Sequence, residues 1–460
     1  MTIKMGDSMP IEELGIEHVD KKHRHGRPFI TFTLWLAANL TIADYALGTI
    51  LYGLPLNYIV LAVLVGNILG GLLLGLMAAM GPKFGYPQMM ISRAYFGRKG
   101  NAPFAVANWI STVGWFTVNI VLGGYALQLA LGLPFYAGAL ILVLVQSILA
   151  VYGHDMIHKF EILMAAALCL MFIAVGILAY EGALGNLGAY QASSSPTASM
   201  FALVVAAVFS YLMSWSPYAS DYSRYLPEGT SPLRIALYAM AAGAIACTGV
   251  ELIGTLVYIS VGSSAINPIA ALAQAAGPYS MLALGAIILG SITANSLNLY
   301  TNSLSAQIVY GRIKRWHAVA AAGAVGFALA LLGAGDFALF YQNFLLTLDY
   351  WITPWIGIMV GAFFVNHITR GVERNRDVLW GPIASYVIGL AVSVPFMNLT
   401  SYGIQYEGAL ATMLGGADVS YFVSFAVALA SYLVFTRAGT AVGIMRDDVI
   451  SESETADAVP

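Results

Sequence analysis

One stretch of the sequence decides the fold. It reads Trp-Ser-Pro-Tyr-Ala-Ser-Asp-Tyr-Ser-Arg-Tyr-Leu-Pro from Trp215 to Pro227, and it closes an apolar run that starts near Ala198. The run predicts a membrane-crossing helix, but Pro217 lacks a backbone N–H and clashes with the preceding turn. Interrupted helices at membrane depth are tolerated where they line a cavity, and they often mark substrate sites. Trp215 is therefore expected at a half-helix junction, with its ring presented to a flat ligand. A kinked helix with an interfacial tryptophan is the alternative.

The composition indicates a membrane protein. Of the 460 residues, 59% are hydrophobic and 9% are charged, whereas about 25% are charged in soluble domains. A mean hydropathy of +0.78 and repeated apolar runs of about 20 residues predict a polytopic helical membrane protein. The net charge is −3 without a basic tract, so nucleic acid is not an expected partner. Cys169 and Cys247 lie in apolar runs and predict neither a disulfide nor a metal site.

The apolar runs predict an all-α polytopic membrane protein with twelve transmembrane helices. All 20 Lys and Arg residues then fall on one side, which the rule of positive cytoplasmic loops identifies as the cytoplasm. Both termini are expected there, as a tail over 1–27 without a cleavable signal peptide and an acidic tail over 437–460, flanking a membrane domain over 28–436. The predicted spans are 28–52, 56–80, 103–131, 134–152, 158–180, 198–221, 233–261, 279–306, 317–334, 337–366, 379–398 and 419–436.

Predicted span 1 carries a second anomaly, because Asn39, Thr41 and Asp44 lie inside it. A charged Asp44 facing lipid at the bilayer centre costs several kcal/mol. Asp44 is therefore a candidate for substrate or proton handling, and a structural hydrogen bond is the alternative. Spans 1 and 6 are five helices apart, which predicts two inverted five-helix repeats, 28–180 and 198–366, followed by two extra helices in 379–436.

Predicted span 3 contains Trp115 near its middle, with Asn119 one turn later on the same face. An indole face and an amide suit a planar heterocycle, because the ring stacks and the amide pairs with the ligand edge. Helix packing by Trp115, with Asn119 bonded to a neighbouring helix, is the alternative.

Predicted span 8, from Leu289 to Gln307, is the most polar of the twelve. Such a stripe faces a wet cavity or other polar helices. The hydroxyls of Ser291 and Thr293, with freed carbonyls of span 1, would suit a sodium ion, and interhelical hydrogen bonding is the alternative. Glu251 and Asp349 are weaker candidates as proton carriers, and a buried, neutral, hydrogen-bonded carboxyl group is the favoured alternative for each.

At these residues the chain resembles the nucleobase–cation symporters, a family of purine/cytosine permeases with hydantoin, allantoin and uracil relatives. Four motifs carry the resemblance. They are the loop from Gly81 to Gly100, the pair Trp115 and Asn119, the stretch from Trp215 to Pro227, and the segment from Asn298 to Gln307.

The resemblance implies a LeuT-type fold of two inverted five-helix repeats plus two C-terminal helices. It implies a substrate stacked between Trp115 and Trp215, with Asn119 and Asn298 at the ring edge and span 1 completing the pocket. The other expected substrate-binding residues are Ala38, Asn39, Ser214 and Asn295.

The coupling ion is left open between H⁺ and Na⁺. Sodium-coupled relatives pair two adjacent hydroxyls on span 8, and the matching positions here are Ile292 and Thr293. One hydroxyl is thus missing, which favours protons, although Ser291 with Thr293 would restore a sodium site. An asparagine often found four residues before Asn298 is Ala294 here, with Asn295 beside it, which leaves the exact substrate open. The ion-coupling candidates are Asp44, Thr293, Ser291 and Thr41.

The sequence predicts secondary active uptake of a cytosine- or purine-type nucleobase by alternating access. Allantoin, hydantoin, uracil or a vitamin-like ring are alternative substrates. A channel or an intramembrane enzyme is a remote alternative, because the seven histidines lie in the N-terminal tail or at cytoplasmic helix ends. We expect a monomer in the bilayer of the cell membrane, without a prosthetic cofactor.

Overall fold

The structure is a computed structural model that describes residues 14–188, 190, 197–262, 267–335, 337–373, 376–400 and 403–441. Within these ranges β-structure is limited to an isolated antiparallel bridge between Asn398 and Glu407. The α-helices described are α1 (Phe29–Asn39), α2 (Ile42–Ile50), α3 (Leu56–Ala78), α4 (Gly81–Phe84), α5 (Gln88–Phe96), α6 (Ala102–Leu131), α7 (Phe135–Tyr152), α8 (His154–Leu187), α9 (Ala198–Met213), α10 (Ala219–Ser223), α11 (Pro232–Val261), α12 (Pro268–Ala276), α13 (Ser280–Val309), α14 (Arg315–Gly333), α15 (Phe337–Val360), α16 (Trp380–Ser393), α17 (Ala409–Met413) and α18 (Ser420–Ala441).

Ten helical segments of the described chain are long and apolar enough to cross a membrane, and the bent pair α1–α2 forms an eleventh. Each of the eleven coincides with a predicted span. The remaining predicted span, 379–398, corresponds to the shorter apolar helix Trp380–Phe396. The all-α class is therefore confirmed, whereas the exact number of twelve stays a prediction.

The first span is broken in its middle. Helices α1 and α2 meet at an angle of 58°, and the connecting Leu40 has a non-helical ψ of 66°. Thr41 is the N-cap of α2 and has an extended backbone conformation. Its hydroxyl accepts a hydrogen bond from the backbone N–H of Asp44 at 3.4 Å. The break lets α13 approach closely, because a Cβ on Gly290 would lie 2.7 Å from the carbonyl oxygen of Leu40.

The sixth span is interrupted more mildly. Helix α9 ends at Met213, a 3₁₀ turn follows over Ser216–Tyr218, and α10 continues from Ala219. Among the described helix pairs that together form one membrane span, only α1–α2 is bent by more than 40°. Both predicted interruptions are thus present, but they differ in size.

The chain divides into two compact units. Unit 1 comprises Met1–Ile91 and Ala102–Leu348, and unit 2 comprises Ser92–Asn101 and Asp349–Pro460. In unit 1, α13 packs against α6, α7, α8 and α14, while α3 packs against α9 and α11. In unit 2, α16 packs against α18. The predicted substrate-binding residues and the four ion-coupling candidates all lie in unit 1, whereas Asp349 lies in unit 2. The repeat boundaries stay a prediction.

Candidate functional site

Trp115 lies on α6 and is 5% exposed. Three aromatic rings meet it edge-on, with centroids 5.2 Å away for Tyr211, 6.1 Å for Tyr341 and 5.2 Å for Phe344. These contacts fix the plane of the indole. Its Nε1–H is buried and has no hydrogen-bond partner, although a buried indole N–H usually has one.

Trp215 lies between α9 and the 3₁₀ turn and is 4% exposed. Its ring meets Trp35 of α1 at 5.4 Å and Tyr218 at 5.3 Å, both edge-on. The described ring contacts therefore place Trp115 and Trp215 in two separate aromatic clusters. Each cluster presents a fixed aromatic surface, and one includes a residue of the broken first span.

A chain of side-chain amides joins α6, α13 and the 3₁₀ turn. Asn119 Nδ2 donates to Asn295 Oδ1 at 3.1 Å, and Asn298 Nδ2 donates to the same oxygen at 3.2 Å. Tyr218 donates its hydroxyl hydrogen to Asn298 Oδ1 at 3.2 Å. Asn295 Nδ2 in turn donates to Gln146 Oε1 on α7 at 2.9 Å. The structure thus brings together three predicted site residues, and it ties Asn298 to the same turn as Trp215.

The other predicted substrate residues surround the two interruptions. Ala38 and Asn39 end α1 and are fully buried, and Asn39 Nδ2 donates to the backbone oxygen of Trp35 at 2.7 Å. Ser214 is the C-cap of α9, where its hydroxyl donates to the backbone oxygen of Tyr211 at 2.6 Å. Ser214 therefore stabilises the end of α9.

Four buried polar atoms near these residues have no partner among the described atoms. The set includes both hydrogen-bond donors and acceptors, since an indole N–H donates, amide oxygens accept and a hydroxyl does either. Their hydrogen-bonding capacity is unused within the described protein, so they are available to the polar edge of a small molecule. The four atoms are Trp115 Nε1, Asn119 Oδ1, Asn39 Oδ1 and Ser216 Oγ.

The hydroxyls proposed for sodium are already engaged. Ser291 donates to the backbone oxygen of Asn119 at 2.9 Å and accepts from Gln146 Nε2 at 3.2 Å. Thr293 donates to the backbone oxygen of Gly290 at 2.7 Å. Side chains two residues apart on a helix do not face each other, so this geometry does not favour a sodium site that uses both hydroxyls.

The other two ion-coupling candidates lie in the second half of span 1. Thr41 is fully buried, and its hydroxyl lies 2.8 Å from that of Tyr211. Asp44 is fully buried in the first turn of α2. The described part of the chain contains no group of three or more His, Cys, Asp or Glu side chains that could hold a metal ion.

Sequence reasoning missed several residues of this region. Gln146 lies in the mostly apolar α7. An amide in such a span could have been recognised from the sequence as a candidate site residue. Tyr218 and Ser216 lie inside the stretch that was singled out for Trp215. Tyr211 and Tyr341 could not be recognised in this way, because aromatic residues are common in membrane helices.

A cavity of about 320 Å³ in unit 2 is lined by Arg93, Arg376 and Trp380 among others, and it includes none of the predicted site residues.

The apolar spans, the broken helix and the buried polar atoms without partners are features typical of a polytopic membrane transporter for a small molecule. A family model described as permease for cytosine/purines, uracil, thiamine, allantoin matches residues 18–424. The chain therefore belongs to this family. The family consists of permeases, which confirms that the protein is a transporter and not an enzyme.

The relatives of this chain carry matching names. It is 29% identical over 451 residues to YxlA of Bacillus subtilis, which has the provisional name of a purine-cytosine permease, and the match covers 93% of this chain and 96% of YxlA. It is 25% identical to the purine-cytosine permease FcyB of Emericella nidulans, over 94% of this chain and 89% of FcyB.

Solved structures show the same fold. Mhp1, a nucleobase-cation-symport-1 family transporter, was solved in a closed conformation with bromovinylhydantoin bound. It matches this chain with a TM-score of 0.76 at 19% identity, over 95% of this chain and 97% of Mhp1. The inward-facing conformation of Mhp1 matches with a TM-score of 0.73. These likenesses confirm the predicted LeuT-type fold class of a multi-pass membrane protein.

Proposed function

We propose that this protein imports a nucleobase of the cytosine or purine type by cation symport with alternating access. The observation that carries the proposal is the set of four buried polar atoms without partners beside two fixed indoles, Trp115 and Trp215. The names of YxlA and FcyB support the same substrate class. The vitamin B6 transporter of Saccharomyces cerevisiae matches at 23% identity over 82% of this chain, less than YxlA or FcyB on both counts, and the alternative substrates are not favoured.

The chemistry of the site suits a flat, polar ring. A nucleobase has two π faces for the indoles and both donors and acceptors at its edge. Asn119 Oδ1 and Asn39 Oδ1 would accept from ring N–H or exocyclic amino groups. Trp115 Nε1 would donate to a ring carbonyl or nitrogen. Asn295 would act indirectly, by holding the amides of Asn119 and Asn298 in place.

The broken first span supports alternating access. Two half-helices can change their mutual angle without breaking the hydrogen bonds inside either half, and α1 carries Asn39 while α2 carries Asp44. Binding sites of this type lie near the bilayer midplane. We place the protein in the cell membrane with both termini in the cytoplasm, on the basis of its Lys and Arg distribution, and we expect it to act as a monomer.

Uptake of radiolabelled cytosine and adenine tests the proposal. Base–aromatic stacking is worth about 1–3 kcal/mol per base, so we expect Trp115→Ala and Trp215→Ala to weaken substrate affinity about 5- to 150-fold each. Trp316→Ala is the matched control, because Trp316 lies on α14 and is 54% exposed.

The competition profile then defines the substrate class. Unlabelled cytosine and purines should compete with the label, whereas allantoin, hydantoin and pyridoxine should compete weakly. Wild-type uptake rates in both indole variants would contradict the stacking model. Stronger competition by allantoin or hydantoin than by any nucleobase would contradict the substrate class.

A further inference from the structure

Asp44 is a buried acid that the substrate site does not use. It is fully buried, and neither carboxyl oxygen has a hydrogen-bond partner among the described residues. Cys247 and Glu251 of α11 lie beside it. A thiol is only a weak donor, and two ionised carboxyl groups are both acceptors, so a hydrogen bond between Asp44 and Glu251 requires a proton on one of them.

Glu251 is held in place from the other side. Asn67 of α3 donates its Nδ2 hydrogen to Glu251 Oε2 at 2.6 Å, while Glu251 Oε1 is buried without a partner. The backbones of α2 and α11 almost touch at this level, because a Cβ on Gly48 would collide with the carbonyl oxygen of Glu251. The two carboxyl groups are therefore fixed as neighbours by the packing of α2, α3 and α11.

Among the described residues, no basic side chain is positioned to neutralise this pair. Helices α2, α3, α9 and α12 contain no Lys, Arg or His, and Arg234 of α11 precedes Glu251 by 17 residues, about 25 Å along the helix. Helix α8 meets α11 at Gly176 and Gly182, far from its basic residues, which lie in its first two turns. The other titratable groups that face the pair are uncharged tyrosines and a thiol, namely Tyr211, Tyr341 and Cys247.

We propose that Asp44 and Glu251 form one proton-binding site, in which one carboxyl carries the proton and the other accepts its hydrogen bond. This proton is the co-transported cation, so the inference rests on the proposed transport function and names its coupling ion. Two carboxylates in contact cannot both be ionised in a medium of low polarity. Loading forms one carboxyl O–H bond with a proton from outside, and release breaks that bond and gives the proton to water inside.

The position of Asp44 allows its carboxyl group to be either ionised or protonated. Asp44 lies in the first turn of α2, where the N-terminal backbone N–H groups and the helix dipole favour a negative charge. The ionised form is thus stabilised locally once the site opens to water. The protonated form is favoured while α2 and α11 enclose the pair.

Two tyrosines connect the carboxyl pair to the substrate site. Tyr211 bonds through its hydroxyl to that of Thr41, three residues before Asp44, and Tyr341 donates to the backbone oxygen of Ala43 at 2.9 Å. Both rings meet Trp115 edge-on. A change in the angle of α2 on proton binding therefore moves groups that fix the indole, which couples the two sites through direct contacts.

Reconstitution in proteoliposomes tests this site. With an inside-alkaline pH gradient and no sodium, the wild-type protein should accumulate radiolabelled cytosine. Asp44→Asn and Glu251→Gln should reduce gradient-driven accumulation at least tenfold and keep cytosine exchange between equal pools within about threefold of wild type. An inward sodium gradient at equal pH should drive no accumulation.

Glu161→Gln is the matched control, because Glu161 on α8 is also fully buried with both carboxyl oxygens lacking a partner. It should leave both accumulation and exchange unchanged. Accumulation by the two test variants at wild-type levels, or accumulation driven by sodium alone, would overturn the proton site.

Infrared spectroscopy of the purified protein decides the question without any substrate. The carbonyl band of a protonated carboxylic acid, recognised by its shift in heavy water, should be stronger in wild type than in the Asp44→Asn/Glu251→Gln double variant. Sodium should not remove it. Equal bands, or loss of the difference on adding sodium, would overturn the proposal even where cytosine itself proves not to be a substrate.

Discussion

The interruptions of the first and sixth spans resemble each other in sequence position and differ in geometry. The sixth span contains Pro217, yet only a 3₁₀ turn separates α9 from α10. The first span contains no proline at its break, yet α1 and α2 meet at 58°. The residue type that most often breaks helices thus accompanies the smaller of the two distortions.

The difference has a physical cause in where each residue stands. Pro217 occupies one of the first two positions of the 3₁₀ turn, where a missing N–H removes no helical hydrogen bond. At the first break, Thr41 caps α2 from an extended conformation, and α13 approaches the freed backbone at Gly290. A large bend therefore depends on what stabilises the separated ends more than on what disrupts the helix.

The largest effect is expected from Gly290→Ala. The new Cβ would lie 2.7 Å from the carbonyl oxygen of Leu40, and a backbone atom cannot move aside as a side chain does. Overpacking of this kind costs about 1–3 kcal/mol. We expect a lower thermal unfolding midpoint in detergent and a loss of cytosine uptake of about tenfold or more.

Gly285→Ala on the same helix is the control for that variant. Its Cβ would meet the terminal methyl of Met171 at 3.3 Å, and this flexible side chain can give way. We expect unchanged or slightly higher stability, because alanine favours a helix over glycine by about 1 kcal/mol. Equal behaviour of the two alanine variants would show that the close approach of α13 does not matter.

The sequence predicts the fold more completely than it predicts the contacts of the candidate site. Hydropathy located the eleven spans that the described helices match, because lipid imposes a continuous apolar length on each helix. The break in span 1 was indicated by Asn39, Thr41 and Asp44, which are polar at membrane depth. The angle between α1 and α2 was not indicated by the sequence, because it depends on Gly290, some 250 residues further along the chain.

The residues of the candidate site were named from the sequence, but the contacts between them were not. Trp115, Asn119 and Asn298 stood out as polar or amphipathic residues in apolar helices. The pairing of Asn119 with Asn295 depends on the rotation of α6 against α13, which periodicity alone does not fix. The contacts of Ser291 were not predictable for the same reason, since its hydroxyl bonds to α6 and α7, and its role in ion coupling stays a prediction.

An intermediate effect is expected from Thr41→Val, which removes a hydroxyl and keeps the shape of the side chain. The loss of an N-cap costs about 0.5–2 kcal/mol, and the bond to Tyr211 is lost as well. We expect cytosine uptake to fall about three- to tenfold. Thr41→Ser should restore uptake, and Tyr211→Phe should lower it less than Thr41→Val. A larger loss in Tyr211→Phe would locate the effect at the tyrosine and not at the cap.

The smallest effect is expected from Pro217→Ala. This variant tests most directly whether the two interruptions have different causes. Because Pro217 stands at the start of the 3₁₀ turn, replacing it restores no helical hydrogen bond and removes none. What holds this turn is Tyr218 bonding to Asn298 and the ring of Trp35 against Trp215, and the substitution leaves these contacts intact. Cytosine uptake should therefore stay within about threefold of wild type. A loss as large as that of Trp215→Ala would mean that the proline itself shapes the site, and that the sixth span is interrupted for the reason its sequence first suggested.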